Sequence, residues 1–326
     1  MNPPGRLVLL TTSPRVAPGL LAVDAWDAVR AGPVLTAAAE HPQLAALAAA
    51  GVNVEVVITG SVSALADRLA ALAADAGTCT WLSSEGEDGL ATALGALTTR
   101  DAVRLEVLPG SWDLPGARLL DAVRVMDRLR SPGGCPWDAE QTHASLAPYL
   151  LEEAYETLQA LEDGGGGATA DLREELGDLL MQVLFHARLA QEADSGWSVD
   201  DVAAGLVAKL VRRHPHVFAD TVVDGAAAVE ANWDTIKQAE KQRTSAVDGV
   251  PLGQPALALA AKLVGRATKA GLPTSLPDAT RDTAADELLG RALFGLAARA
   301  KLAGQDPEAA LRAVARSYAE LLRAQG

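Results

Sequence analysis

The chain has 326 residues, 49% of them hydrophobic, and a formal net charge of −14 at pH 7. That length allows two or three domains with real cores, and the acidic balance excludes nucleic acid as the main partner, because phosphate binding needs clustered positive surface. Cys79 and Cys135, in no ligand spacing, exclude a disulfide framework and a zinc site; without a membrane-length apolar run or a secretory signal, a cytoplasmic protein with no membrane partner is expected.

From Arg6 to about Leu114, short β-rich runs alternate with helical ones. The runs RLVLLTT, VNVEVVIT, CTWLSS and VRLEVLP predict strands. Between them AVDAWDAVRA, HPQLAALAAAG, SALADRLAALAADAG and EDGLATALGAL repeat apolar residues at helical spacing. The alternation predicts a parallel sheet covered by helices, with any ligand at the carboxyl ends of the strands. The first turn at that edge is Thr12-Ser13-Pro14-Arg15, without a Gly-x-Gly cradle. The segment VLTAAAEHPQLAALAAAGVNVEVV resembles part of the amino-terminal half of the tetrapyrrole methylase family. Only half of that fold's length is present and its glycine-rich entry motif is missing, so the resemblance implies a structural or regulatory remnant rather than a methyltransferase.

Asp113-Leu114-Pro115-Gly116 marks the first boundary. LLDAVRVMDRLR then predicts an amphipathic helix with Leu119, Val123, Met126 and Leu129 on one side. The stretch from Pro148 to Ala190 predicts two helices joined by the loop Gly164–Gly167, which lets the chain reverse and the helices pack antiparallel. Both helices carry acids where apolar residues belong. Glu153 and Glu156 are three apart, and Glu152 is four from Glu156; Glu175 and Asp178 repeat the three-residue spacing among Leu172, Leu176, Leu179 and Leu180. At about 100° per residue, such spacings share a helical face. A lone pair of this kind suits a solvated surface, and Asp171 with Glu174 suits a capping box. Two pairs flush with the apolar stripes of adjacent helices predict carboxylates that face one another and repel unless a cation or protons neutralise them. An all-oxygen cluster without His or Cys favours a hard ion, Mg²⁺ or Mn²⁺.

Four motifs occur in order: C-P-W-D-x-x-Q-T from Cys135 to Thr142, E-E-x-x-E from Glu152 to Glu156, L-G-D-L-L from Leu176 to Leu180, and R-R-H-P-H-V-F from Arg212 to Phe218. Together they resemble the MazG family of nucleoside triphosphate pyrophosphohydrolases, densely over residues 119–242. The resemblance implies Mg²⁺ on Glu153, Glu156, Glu175 and Asp178, with Glu152 supporting those ligands or orienting water. It implies hydrolysis of a (deoxy)nucleoside triphosphate to the monophosphate and pyrophosphate, by attack of water on the α-phosphorus. In LVAKLVRR, Lys209 and Arg213 match positions that contact phosphate in the family, and Arg212 is a further candidate. Trp233 and Lys237 match a W-x-x-x-K pair near the nucleotide. His214 and His216, either side of Pro215, suit packing or capping, and Trp137 suits either a cover over the site or a core anchor.

Beyond the matched region the chain compares with itself. REELGDLLMQVLFHARLAQ, from Arg173, aligns with DELLGRALFGLAARAKLAG, from Asp286, through its leucines and through Gly177 with Gly290. Glu175 is matched by Leu288 and Asp178 by Arg291, while Ser317 and Leu321 stand opposite Lys209 and Arg213. A leucine and an arginine cannot ligate Mg²⁺, so the second copy is expected to have lost the metal site and filled it by packing. The predicted fold is mainly α: a small α/β domain at residues 1–114, a MazG-like catalytic helical domain at 115–245, and a degenerate MazG-like copy at 246–326. One helix pair cannot enclose its own carboxylates, which predicts a homodimer. Hydrolysis of another nucleotide polyphosphate such as an alarmone, and a non-enzymatic nucleotide-sensing scaffold, are the alternative functions.

Overall fold

The computed structural model describes residues 5–325 apart from 59–60, 85–87, 99–102, 166, 220–224, 227, 230–231, 234–235, 237–244 and 280–283. Its sheet is built from β1 (Gly5–Thr11), β2 (Val34–Thr36), β3 (Val54–Val56), β4 (Thr78–Leu82) and β5 (Val103–Pro109), ordered β3-β2-β4-β1-β5 with every pairing parallel. Alternation along β1 builds the two layers: Leu7 and Leu9 join one core, Val8 and Leu10 the other, as a period of two requires. On the first face α3 (Val62–Ala76) and α4 (Asp88–Thr98) supply Leu65, Leu69, Leu90 and Leu94. On the second, α1 (Val23–Arg30) and α2 (Leu44–Ala49) supply Ala25, Ala28, Val29 and Leu47. Covering both faces is what a parallel sheet needs, and it explains the nearly continuous apolar runs. Cys79 lies inside the first core, where burial pushes its thiol up to about 11; it and Cys135 are free.

Four strands coincide with predicted runs, and β2 does not. Its three residues follow Gly32-Pro33 and lead into alanines, so no alternation announces it. Packing places it instead. A side chain at Gly32 would collide with the Thr78 carbonyl, and Thr80 N donates to the Pro33 carbonyl at 2.9 Å, drawing the segment onto β4.

The turn after β1 is taken up by internal contacts. Arg15 donates from Nη1 to Asp113 at 2.8 Å and from Nε to Asp121 at 2.7 Å, and the Ser13 hydroxyl donates to Asp113. Arg124 adds a bond to the Pro14 carbonyl at 2.8 Å. These bonds fasten the sheet to α5 (Arg118–Arg130). The helix then packs on α7 (His143–Asp163) and α8 (Ala170–Ala190) through Met126, Leu146, Leu184 and Phe185, with the short α6 (Pro136–Glu140) between. By contacts the chain forms two compact units, residues 1–205 and 206–326, so the sequence boundary near Leu114 falls inside the first. Beyond it lie α9 (Val199–Arg213), which crosses the division, and α10 (Pro215–Phe218). In the second unit α11 (Ala256–Lys269) packs on α12 (Ala285–Leu302), burying Ala260, Ala261, Val264, Ala297 and Ala298, and α13 (Pro307–Gln325) follows. Among the described residues no helix is long and apolar enough to cross a membrane.

The arginine clamp has a pH signature. The Ser13 hydroxyl and the Arg15 guanidinium hold Asp113 below its ordinary pKa, and Arg15 does the same for Asp121. Groups lowered in the folded state contribute stability above their ordinary pKa, near 4, and lose it as pH falls through the lowered values. Arg15→Gln is therefore expected to lower the melting temperature at pH 7, with the difference from wild type closing below about pH 4. Thermal unfolding at the two pH values checks this, and an equal gap at both would mean that the side chain acts by packing alone.

Candidate metal centre

Local signals set both helices of the acidic pair. Thr142 caps α7: its Oγ1 accepts from Ser145 N at 3.1 Å, while Ser145 Oγ accepts from Thr142 N at 2.9 Å. At α8 the cap is Thr169, whose Oγ1 accepts from Leu172 N at 3.1 Å, rather than Asp171, which the sequence offered as an alternative. Asp171 lies in the first turn, where the helix dipole favours an acid. Between the helices Gly165 adopts φ +57°, a left-handed turn open to glycine. Arg130 fixes the entry to α7: it pairs with Glu192 at 2.8 Å, donates to the carbonyls of Asp138 and Gln141, and lies over the Phe185 ring.

The pairing runs antiparallel. His143 Nδ1 meets His186 Nδ1 at 2.8 Å near one end, and Thr157 Oγ1 lies 3.3 Å from the Glu175 carbonyl nearer the other. This register brings Glu153, Glu156 and Glu175 together, each with an oxygen within 4.8 Å of the others. Glu153 and Glu175 are half-buried and Glu156 is exposed. Loss of water pushes the Glu153 pKa up, and Asp178, Glu156 and Glu175 add their repulsion. For Glu175 desolvation again comes first, followed by Glu156 and Asp178. Asp178 thus acts on the cluster by its charge while standing outside the 4.8 Å group. Exposed Glu152 adds a smaller repulsion to Glu153. A cleft of about 360 Å³, lined by Glu156, Gln159, Asp163 and Glu175 among others, opens beside the cluster. The donors fit a divalent ion of the Mg²⁺ or Mn²⁺ type: all are carboxylate oxygens, they converge from two helices, and Glu153 and Glu175, raised first by desolvation, also feel negative charge that a cation would relieve.

The predicted cationic residues belong to α9 and the stretch after it. Lys209 and Arg212 are exposed on α9, and the Arg213 guanidinium sits over the Trp233 ring, 5.0 Å from its centroid. Lys237 lies outside the described residues. His214 Nδ1 donates to the Leu210 carbonyl at 2.7 Å, closing the last turn of α9. Trp137 meets Tyr149 edge-on, with ring centroids 6.0 Å apart, and remains half-exposed.

Two features were not read from the sequence. Thr157 is buried, and its hydroxyl donates to the Glu153 carbonyl at 2.8 Å while touching the Glu175 carbonyl, so it joins the backbones of two acids. Its position four residues after Glu153 was the available signal. Farther along, Gln182 is 2% exposed with its Oε1 unbonded among the described residues, and the His143 and His186 rings stack at 5.1 Å. Burial, then the His143 ring, lowers the His186 pKa.

Comparison with known proteins bears on this region. A family model described as the MazG nucleotide pyrophosphohydrolase domain matches residues 141–218, from just before α7 through α10. Trp233 and Lys237 fall outside that match. An uncharacterised 26.1 kDa protein of Streptomyces cacaoi is 53% identical over 74% of this chain and 98% of its own length. A Thermotoga maritima protein named nucleoside triphosphate pyrophosphohydrolase/pyrophosphatase MazG is 35% identical over 61% of this chain and 82% of its own. The nucleoside triphosphate pyrophosphohydrolase of Mycobacterium tuberculosis is 49% identical over 56% of this chain; the match spans 55% of that protein's length.

Two measurements test the geometry. Because Glu153 and Glu175 titrate above their ordinary values, the folded state holds protons that the unfolded state releases, and stability falls as pH rises through that window. In metal-free protein, Glu153→Gln should therefore melt higher than wild type at about pH 8, with the gain shrinking towards about pH 4. Thr157→Val, which keeps the shape and removes the hydroxyl, should cost about 1 kcal/mol in urea unfolding.

Proposed function

Because the chain belongs to the MazG nucleotide pyrophosphohydrolase family, we propose that it hydrolyses (deoxy)nucleoside triphosphates to the monophosphate and pyrophosphate, with Mg²⁺ held between α7 and α8. The convergence of Glu153, Glu156 and Glu175 from two helices carries this reading. Asp178 completes the set, and Mn²⁺ is the natural substitute, since both are hard ions that take oxygen ligands. When bound, the ion neutralises phosphate oxygens and stabilises the departing pyrophosphate. The chain's own groups do the rest. Glu152, exposed beside Glu153, orients a water and takes its proton as the water oxygen bonds to the α-phosphorus. The bond from that phosphorus to the bridging oxygen breaks, and the electron pair leaves with pyrophosphate. Lys209 and Arg213, with Arg212 as a third cation, offset the triphosphate charge. Trp233 offers a ring to the base, and Lys237 a further cation.

A homodimer in the cytoplasm is part of this proposal. On α7 and α8, Leu150, Leu151, Tyr155, Leu176, Met181 and Val183 are 39–56% exposed. A second copy meeting these helices through the same surface would take them out of water and close the cluster from its open side.

The test is pyrophosphate release from a mixture of deoxynucleoside triphosphates with Mg²⁺ and with EDTA. Activity should require the ion. Glu153→Gln, Glu156→Gln, Glu175→Gln and Asp178→Asn should each lower turnover by roughly 100-fold or more while the chain stays folded. Near-wild-type turnover at saturating Mg²⁺ in any of them would remove that residue from the site.

A further inference from the structure

Helix α12 keeps the apolar rhythm of α8 and exchanges its polar stripe. With Arg173 set against Asp286, the α8 residues Glu175, Asp178, Gln182 and His186 correspond to Leu288, Arg291, Gly295 and Arg299. Those four α12 positions are spaced by three, four and four residues, so they share one helical face. All four line a single groove of about 490 Å³ between α12 and residues 274–279. The expected filling by packing has not occurred: Leu288 is 48% exposed. Gly295 keeps the space open, because a Cβ built there meets only Arg299 Nη1, at 3.7 Å. The corresponding Gln182 in α8 is buried.

The two arginines do different things. Arg291 is engaged in building the wall: its Nε donates to Glu287 at 2.9 Å and its Nη1 to the Pro277 carbonyl at 2.7 Å, which pins the 274–279 stretch to the helix. Among the described residues the Arg299 guanidinium forms no hydrogen bond or ion pair. An available guanidinium in a groove is a positive focus on a chain of net charge −14, and its planar fork matches phosphate oxygens. The rest of the lining selects among anions. Leu288, Phe294 and Leu302 offer an apolar wall suited to an aromatic ring. Asp278, also in the lining, opposes a bare polyanion but can accept from ribose hydroxyls or a base amino group.

We propose that this groove in the second unit binds a nucleoside monophosphate without a metal, with its phosphate on Arg299 and its base on the apolar wall. The site is independent of the carboxylate cluster and of the hydrolysis assigned to it.

The test is calorimetric titration of AMP into the full-length chain in EDTA, which silences any metal-dependent binding. One site per chain is expected. Arg299→Gln should weaken AMP by about tenfold or more, the worth of a charge-assisted pair. Gly295→Leu should cause a similar loss by filling the groove. Its melting temperature should not fall, because leucine is the better helix former. Glu153→Gln/Glu175→Gln should bind AMP like the wild type, which separates this site from the metal centre. Adenosine and inorganic pyrophosphate should each bind at least tenfold more weakly than AMP, by the same reasoning. Absence of AMP binding, wild-type affinity in Arg299→Gln, or pyrophosphate binding as tight as AMP would overturn the proposal.

Discussion

Carboxylates gathered across a helix crossing repel one another, and the helical half of the first unit is arranged to withstand that repulsion. The apolar contacts of α7 and α8 with α5 concentrate toward the start of α7 and the end of α8, at Met126, Leu146, Leu184 and Phe185. The opposite end is closed covalently by the glycine loop. Glu153, Glu156 and Glu175 lie between these fastenings, with buried Thr157 supplying a polar bridge where acidic side chains exclude an apolar seam. A hairpin held at both ends can keep like charges close that a pair of free helices would separate.

The same helical register serves opposite electrostatics in the two units. In α8 and α12 the aligned leucines and glycines preserve packing, while the stripe between them changes from Glu, Asp, Gln and His to Leu, Arg, Gly and Arg. Apolar register decides how a helix sits; the polar stripe decides which sign of charge it can hold. Because the two occupy different faces, one can change while the other stays. A different polar stripe therefore does not oblige a helix to take a different fold, and in α12 Gly295 leaves that face open.

What the sequence made legible follows from the range of each interaction. The acids were legible because a three-residue spacing inside an apolar stripe is a local anomaly, visible without any partner. The long helices and four strands were legible by period, whereas the short α6 and α10 were not. β2 was not, since three residues bounded by Gly32-Pro33 and alanines carry no period, and a contact with β4 more than 40 residues away places it. Thr169 outranked Asp171 as a cap because the helix began one residue before the aspartate. Thr157 passed as a neutral stripe residue, and its bridging role exists only once α8 lies across it. Arg15 is the extreme case: its partners stand 98 and 106 residues downstream, with nothing local to single them out. The roles proposed for Lys209, Arg213 and Trp233 rest on family resemblance, since cations on a helix have no distinctive spacing.

The placement of β1 has a consequence for how this chain comes off the ribosome. β1 lies between β4 and β5, which end at Leu82 and Pro109, and the turn that follows it is secured by Asp113 and Asp121. The β1 edge that faces β5 must therefore remain unpaired until Pro109 has emerged. A central strand synthesised before both of its neighbours is an aggregation hazard during synthesis that disappears in the finished fold. A stage with an exposed strand edge thus falls in the α/β layer, before α7 and α8, which carry the acidic cluster, have been made.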